Sequence, residues 1–278
     1  MKSRINFAGV TIAALCLAGQ ASAADVRSLA GSTTLSGVVT DAIVQGGLSD
    51  RLTYQGGGSG AGETALVNKQ QALAPMSRGL KPEALASVQS SGFSVIDHVI
   101  ALDGVAVLAH SSNKLSQVSL VDLQKIFSCS VTRWEDLSGS GLNGSIAVYV
   151  RDEASGTTDA FKALAGIKAF GSCVKVVSES DDIANATNTN DLAIGYAGLS
   201  SKRENNLMLA VSRDGQSPIL PTVANIRAKT YPLSRELHIF VADGGFKPSS
   251  DEQALLEKLL DRSFLDPIVQ DHGFVTVD

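Results

Sequence analysis

One local pattern occurs three times in this chain: an apolar segment typical of a strand, a turn rich in Gly, Ser and Thr, and a segment with helical periodicity. The turns are Gly31–Thr34, Gly56–Gly62 and Arg151–Thr157. After the first turn, the apolar residues from Leu35 to Ile43 recur at the spacing of one helix face. Strands that alternate with helices predict an α/β fold with a mostly parallel sheet.

The same turns are candidate anion sites, because a helix N-terminus presents free backbone N–H groups and the positive end of its dipole. In the third turn, helix capping explains Ser155 and Thr157 almost as well, but capping requires neither Arg151 nor Gly156. The second turn is either a flexible surface loop or a site where backbone closely approaches a ligand. Its position between a strand and a helix favours the site. A cleft between two α/β lobes would bring the three turns together.

The N-terminus indicates export. Lys2 and Arg4 precede an apolar run from Ile5 to Ala18 and the small residues Ala21-Ser22-Ala23, a pattern typical of a cleaved secretory signal. We therefore predict a signal peptide over residues 1–23 and a periplasmic mature chain. Without that segment, 21 basic and 28 acidic residues remain, a net charge of −7. This charge argues against nucleic acid as a partner.

Two cysteines, Cys129 and Cys173, remain after the predicted cleavage. In an exported protein a lone pair is most simply a disulfide, and the alternative is two unpaired buried thiols. Neither cysteine has the spacing of a metal site, and the scattered histidines do not supply one. The sequence therefore predicts no metal and no cofactor.

Eight segments, in this order, are similar to the periplasmic phosphate-binding proteins that serve high-affinity phosphate ABC importers, which have the type II periplasmic binding-protein fold. The segments are Gly31–Thr34, Tyr54–Gly62, Ala74–Arg78, Asp103–Val107, Leu123–Ser128 with Trp134, Arg151–Thr157, Ala193–Tyr196 and Tyr231–Arg235. The resemblance covers nearly the whole mature chain. It implies a two-lobed α/β protein with the ligand cleft between the lobes.

The resemblance also implies lobe boundaries and partners. Lobe 1 would comprise residues 24–103 and 231–278, and lobe 2 residues 104–230, with hinges near Asp103–Val107 and Tyr231–Arg235. The implied function is capture of inorganic phosphate and its delivery to a membrane ABC permease by a monomer that is not an enzyme. A sensing or surface-attachment role would use the same site.

The implied phosphate ligands come from all three turns and one further segment. Glu153 would orient the Arg151 guanidinium, and the lobes would close over the anion. The implied ligands are Thr33, Thr34, Ser59, Arg78, Arg151, Ser155, Gly156 and Thr157.

Arg78 departs from the pattern of many members of this family. They place an Asp there, which accepts the proton of hydrogen phosphate and rejects sulfate. Arg78 either adds positive charge to the site or points away from it. The candidates for the missing acceptor are Glu63, Asp103 and Glu153, so sulfate or another tetrahedral oxyanion stays an alternative ligand.

An exported serine hydrolase is the alternative from another class. Gly58-Ser59-Gly60 falls short of the nucleophile motif Gly-x-Ser-x-Gly, because Ala61 stands where the second Gly belongs. Ser111–Lys114 matches Ser-x-x-Lys, but the companion motifs Ser-Asp-Asn and Lys-Thr-Gly are absent from the sequence. The motif set is therefore incomplete.

Overall fold

The computed structural model describes residues 26–152 and 155–277. Within these ranges the chain forms eleven strands and nine α-helices. The strands are β1 Arg27–Gly31, β2 Leu52–Gly57, β3 Leu73–Met76, β4 Phe93–His110, β5 Gln117–Ser119, β6 Ala147–Arg151, β7 Lys175–Val177, β8 Ala193–Gly198, β9 Asn206–Met208, β10 Ala210–Ser212 and β11 Ser234–Gly244. The helices are α1 Ser36–Gln45, α2 Ser59–Val67, α3 Pro82–Ser90, α4 Leu120–Phe127, α5 Gly156–Ala165, α6 Ser180–Thr189, α7 Val223–Arg227, α8 Ser250–Leu260 and α9 Arg262–Asp271.

The three predicted strand–turn–helix units are present. The first is β1, a short 3₁₀ helix over Thr33–Leu35, and α1; the second is β2 and α2; the third is β6 and α5. The glycine-rich sequence predicts that the second helix begins near Glu63, but it begins at Ser59. The reason is that Gly58, with a φ of 91°, already occupies the position before the helix. The signal peptide predicted over residues 1–23 lies outside the described residues.

The main sheet is mixed, so the prediction of a mostly parallel sheet is wrong. Its strand order is β3-β11-β4-β8-β6-β7, with β9 also beside β4. The pairs that β11 and β4 make are antiparallel, and only the β6–β8 and β6–β7 pairs of this sheet are parallel. Two smaller parallel pairs, β1–β2 and β5–β10, lie apart from it.

The apolar runs Phe93–Ile100 and Val105–Ala109 predict two separate strands, but the structure has one continuous strand, β4. The residues between them stay extended, because Asp103 and Gly104 pair with Arg235 and Ser234 at the start of β11. In addition, the N–H of Val105 donates to the carbonyl of Leu233 at 3.0 Å. The two segments predicted as hinges therefore hydrogen-bond to each other.

The apolar core divides into clusters on the two sides of this crossing. One cluster draws its buried residues from positions 102–233 and from Val275. Two others draw theirs from positions 29–101 and 237–269. Burial of these side chains is the main favourable term in folding, so each side has its own source of stability.

A disulfide joins Cys129 to Cys173 with their Cα atoms 5.9 Å apart. It connects the turn after α4 to the segment before β7, within the 102–233 side of the molecule. The predicted disulfide is thereby confirmed. Among the described residues, no helix is both long and apolar enough to cross a membrane.

Candidate functional site

The first and third turns meet, although they lie far apart in the chain. The backbone N–H of Gly156, the first residue of α5, donates to Thr33 Oγ1 at 2.9 Å, and 123 positions separate the two residues. A Cβ atom on Gly156 would stand 2.7 Å from Thr34 Oγ1 and 3.2 Å from Thr33 Oγ1. Any larger side chain at position 156 would therefore push the two turns apart.

A cavity of about 370 Å³ opens beside this contact. Five of the predicted ligands line it, and Gly156 packs against two of them. The cavity is lined by Thr33, Thr34, Asp103, Arg151, Ser155, Thr157, Glu179, Ser180, Gly198, Ser201, His272 and Phe274. Hydroxyl groups, one guanidinium and two helix N-termini give it the donor chemistry of an anion site.

Arg151, the last residue of β6, supplies the guanidinium. Its Nη1 atom lies 3.4 Å from Ser180 Oγ and 3.7 Å from Glu179 Oε2, so both contacts are long. Its Nε atom is buried and has no hydrogen-bond partner within the described ranges. A buried N–H without an acceptor costs about 1–3 kcal/mol, which a ligand oxygen would recover. Glu153, predicted to orient Arg151, lies outside the described residues.

Ser155 is the N-cap of α5, as the capping interpretation of its sequence requires. Its Oγ atom accepts a hydrogen bond from the N–H of Thr158 at 3.3 Å. Because a serine hydroxyl has one hydrogen and can still donate it, capping does not remove Ser155 from the anion site. Thr157 lies in the same turn and is half-buried. The cap is therefore observed, and it is compatible with the anion-site interpretation of this turn.

Ser32, which lies beside the contact between the two turns, is a candidate site residue that the sequence analysis missed. Its Oγ atom is buried, has no partner in the described part of the chain, and would lie 3.4 Å from a Cβ atom on Gly156. Its backbone is fixed on both sides: its N–H donates to the carbonyl of Pro75 at 2.8 Å, and Tyr54 Oη donates to its carbonyl at 2.9 Å. Burial raises the pKa of Tyr54 far above its ordinary value, so this phenol remains a donor. The sequence feature that points to Ser32 is its place in the first Gly-, Ser- and Thr-rich turn, Gly31–Thr34.

The structure places Ser59 and Arg78 in a second cavity, of about 240 Å³, and not in the first. Ser59 Oγ accepts from the N–H of Ser77 at 3.0 Å and lies 3.1 Å from Ser77 Oγ. His238 lines the same cavity, but its Nδ1 atom pairs with Asp97 at 2.8 Å. Among the described residues, Ser59 hydrogen-bonds no histidine. It therefore lacks the adjacent base that a hydrolase nucleophile needs.

Arg78 is engaged by Glu63. Its Nη1 and Nη2 atoms lie 2.8 Å and 3.2 Å from the two carboxylate oxygens, and the N–H of Lys81 donates to Glu63 at 2.9 Å. Burial raises the pKa of Glu63, but the hydrogen bonds and charges of Arg78 and Lys81 outweigh it, so the pKa lies below its ordinary value. The positive charge of Arg78 is thus balanced locally. Glu63 is also removed from the candidate proton acceptors of the first cavity.

Asp103, which lines the first cavity, forms a buried ion pair with Arg235, which lines the second. Their side chains are 5% and 6% exposed, and Asp103 Oδ2 accepts from Arg235 Nε at 2.9 Å and from Nη2 at 2.8 Å. Asp103 Oδ1 makes no hydrogen bond to any described residue, and Asp103 lines the cavity. Of the two candidate acceptors that the structure describes, Glu63 and Asp103, Asp103 lines the anion cavity. No group of three or more metal-ligating side chains lies within residues 26–152 and 155–277.

Comparison with curated proteins finds relatives that share about a quarter of their aligned residues with this chain. The chain is 26% identical over 202 residues to the protein SphX of Synechococcus elongatus, covering 69% of this chain and 60% of SphX. It is 26% identical over 237 residues to the phosphate-binding protein PstS of Pseudomonas aeruginosa, covering 81% of this chain and 73% of PstS. The chain thus spans less than two thirds of SphX and nearly three quarters of this PstS.

Solved structures show the fold. An ABC-type phosphate transport receptor from Vibrio cholerae superposes with a TM-score of 0.75 at 21% identity, covering 91% of this chain and all of that one. A putative phosphate ABC transporter substrate-binding protein from Clostridium perfringens, with bound phosphate, superposes with a TM-score of 0.71 at 24% identity. The predicted two-lobed α/β binding-protein fold is confirmed. The family model described as "PBP superfamily domain" matches residues 18–261, so the chain belongs to the PBP superfamily.

Proposed function

We propose that this protein captures inorganic phosphate in the cavity between the first and third turns and delivers it to a membrane ABC permease. The observation that carries the proposal is the meeting of two helix N-termini beside Arg151, whose buried Nε atom lacks an acceptor among the described residues. Such a site replaces the water shell of a small oxyanion by fixed donors. The names of the relatives from Pseudomonas aeruginosa and Vibrio cholerae support phosphate as the anion.

The proposed ligands that line this cavity are Thr33, Thr34, Arg151, Ser155 and Thr157. Gly156 stays in the proposal through its N–H, which would have to exchange its bond to Thr33 Oγ1. We add Ser32, whose buried Oγ atom has no partner among the described residues. Ser59 and Arg78 stay in the proposal as residues of the adjoining cavity. For them to reach the anion, Ser59 would have to exchange its bond to Ser77, and Arg78 its pair with Glu63.

The proposed lobes are residues 24–103 with 231–278, and residues 104–230. The separate hydrophobic clusters on the two sides of the β4–β11 crossing support this division. Closure of these lobes would bring Thr33 to Gly156, since the two residues belong to different lobes. The protein would act as an exported monomer whose signal peptide is removed after Ala23. N-terminal sequencing of the exported protein checks this: a chain beginning at Met1 would contradict it.

Asp103 favours phosphate over sulfate in the proposed site. Its Oδ1 oxygen is an acceptor, and hydrogen phosphate has a proton to donate to it, whereas sulfate at neutral pH has none. An anion without a proton would instead place its negative oxygen against a buried carboxylate, which is repulsive. Asp103 thereby takes the acceptor role that Arg78 cannot take.

Calorimetric titration of the purified protein with phosphate, arsenate, sulfate and acetate tests the function. We expect phosphate and arsenate to bind at the same site and sulfate to bind much more weakly. Arg151→Ala should weaken phosphate binding by more than about 2 kcal/mol, because it removes a charge-assisted pair from a mostly buried site. Arg133→Ala is the matched control, since that exposed arginine pairs with Glu135 at the surface. Absence of phosphate binding would refute the function, and full affinity in Arg151→Ala would refute the site.

A further inference from the structure

Arg235 contacts both turns of the proposed phosphate site. In addition to its two bonds to Asp103, its Nη1 atom donates to the carbonyl of Gly156 at 2.7 Å, and its Nη2 atom donates to Thr34 Oγ1 at 3.1 Å. The Asp103–Arg235 pair joins β4 to β11, where the two strands pair in register. We call the four residues Arg235, Asp103, Thr34 and Gly156 the Arg235 clasp.

The geometry of the clasp requires that the two turns be together. Thr34 belongs to the turn before α1, and Gly156 is the first residue of α5. A guanidinium has donors in a fixed, planar fork, so Arg235 can bond Gly156 and Thr34 at once only while both turns occupy these positions. When the turns separate, at least one of these bonds is lost.

The clasp also leaves the Thr34 hydroxyl able to act as a donor. Because Thr34 Oγ1 accepts a hydrogen bond from Arg235, the single hydrogen of that hydroxyl is left to donate elsewhere. Thr34 lines the anion cavity, so an oxygen of a bound anion is an available acceptor for this hydrogen. Asp103 neutralises Arg235 in return, and a paired buried guanidinium can act on backbone and hydroxyl groups without itself attracting the anion.

We propose that Arg235 is a positioning residue that holds the two lobes closed and orients Thr34 as a donor, and that it sets the rate at which the anion leaves. The statement about the anion rests on the proposed function; the statement about closure does not. Loss of the contact between Arg235 and Gly156 acts mainly on dissociation, because that contact crosses between the proposed lobes and forms only when they close after encounter. Arg235 therefore affects retention of the anion more than its capture.

Two measurements test the proposal in the full-length exported protein. The first is peptide-resolved hydrogen exchange at the N-terminus of α5 without phosphate, where the Gly156 amide is protected by Thr33 only while the turns meet. The second is stopped-flow measurement of phosphate association and dissociation. In Arg235→Lys we expect faster exchange at Gly156 and phosphate dissociation accelerated by roughly 30-fold, with association changed by less than about threefold.

The matched control is Arg262→Lys, since Arg262 also donates to two carbonyls of β4, those of Ile100 at 3.0 Å and Val99 at 3.2 Å, whereas it is Arg235 that donates to Gly156 and Thr34. If Arg235→Lys fails to fold, the double variant R235Q/D103N removes both charges and keeps hydrogen-bonding groups. Its readout is the exchange at Gly156, because Asp103 also belongs to the proposed phosphate site. The rate effects of Arg235→Lys and Thr34→Val should be non-additive, because Arg235 acts partly through Thr34.

Wild-type exchange at Gly156 in a folded Arg235 variant would overturn the clasp whether or not phosphate binds. Wild-type dissociation together with faster exchange would overturn its role in retention. A wild-type protein that does not bind phosphate but shows the expected exchange would refute the proposed function and support closure by Arg235.

Discussion

The Gly156 amide and the Thr33 hydroxyl lie 2.9 Å apart, and this hydrogen bond joins a helix N-terminus on one side of the β4–β11 crossing to a turn on the other. The bond exists because position 156 has no side chain: a Cβ atom would come within 2.7 Å of Thr34 Oγ1. Closure of the proposed lobes and assembly of the anion site are thus the same event. Residues that keep the turns apart should affect binding even where they remove no donor.

Gly156→Ala is expected to reduce phosphate affinity by tenfold or more. The methyl group separates the turns, and overpacking of this kind costs about 1–3 kcal/mol. The measurement is calorimetric titration alongside thermal unfolding. Gly215→Ala is the control, because Gly215 has a left-handed φ of 68° in open space, so alanine there costs about 1–2 kcal/mol of stability away from the site. Unchanged affinity in Gly156→Ala would contradict the interlocked turns.

Asp103→Asn should change the choice of anion. An amide offers the anion donors as well as an acceptor, so the repulsion of a fully ionised oxyanion falls. We expect the ratio of phosphate to sulfate affinity to decrease by about tenfold or more, the size of one charge-assisted contact. Asp97→Asn is the control, since Asp97 lies on the same strand and pairs with His238 outside the anion cavity. An unchanged ratio would remove Asp103 from the selectivity of the site.

Loss of the Cys129–Cys173 disulfide should lower stability without changing affinity. The cysteines are 44 positions apart, and the loop-entropy relation gives about 4 kcal/mol at 25 °C for a loop of that length. Neither cysteine lines the anion cavity. Urea unfolding of wild type and of C129S/C173S measures the difference, and phosphate titration of both proteins is the control. Equal unfolding midpoints would show that the bridge constrains the unfolded chain little.

Features set by neighbouring residues were predictable from the sequence. Ser119, just before the apolar residues Leu120, Leu123 and Phe127, predicts a helix cap, and Ser119 Oγ accepts from the N–H of Asp122 at 3.0 Å. The same holds for the strand–turn–helix units, because apolar periodicity and turn residues act over a few positions. Local sequence predicts a break in the strand at Asp103-Gly104, but pairing with Ser234 and Arg235, at least 130 positions away, keeps these residues extended.

For the candidate site, too, the sequence predicts local features but not contacts between distant segments. The sequence identified both turns and Arg151, whereas the separation of Ser59 and Arg78 into another cavity depends on their bonds to Ser77 and Glu63. Arg235 stood in a segment that the resemblance marks as a hinge. Its contacts with Thr34 and Gly156 follow only from the way in which the two sides of the molecule meet.

The acid limit of stability should depend on Glu63. Burial raises the pKa of Glu63, but Arg78 and the Lys81 backbone lower it by more than burial raises it. The folded pKa therefore lies below the ordinary value of about 4.3. A carboxyl group with a lowered folded pKa stabilises the fold fully above its unfolded pKa and loses that contribution as the pH falls through the folded pKa. Glu63→Gln should therefore have a lower unfolding free energy than wild type, with the largest difference near pH 7 and a smaller one below about pH 4.

Urea unfolding from pH 7 to pH 3 measures this difference, with Glu257→Gln on the exposed face of α8 as the control. A difference that stays constant with pH would mean that the Glu63 carboxylate is not stabilised by Arg78.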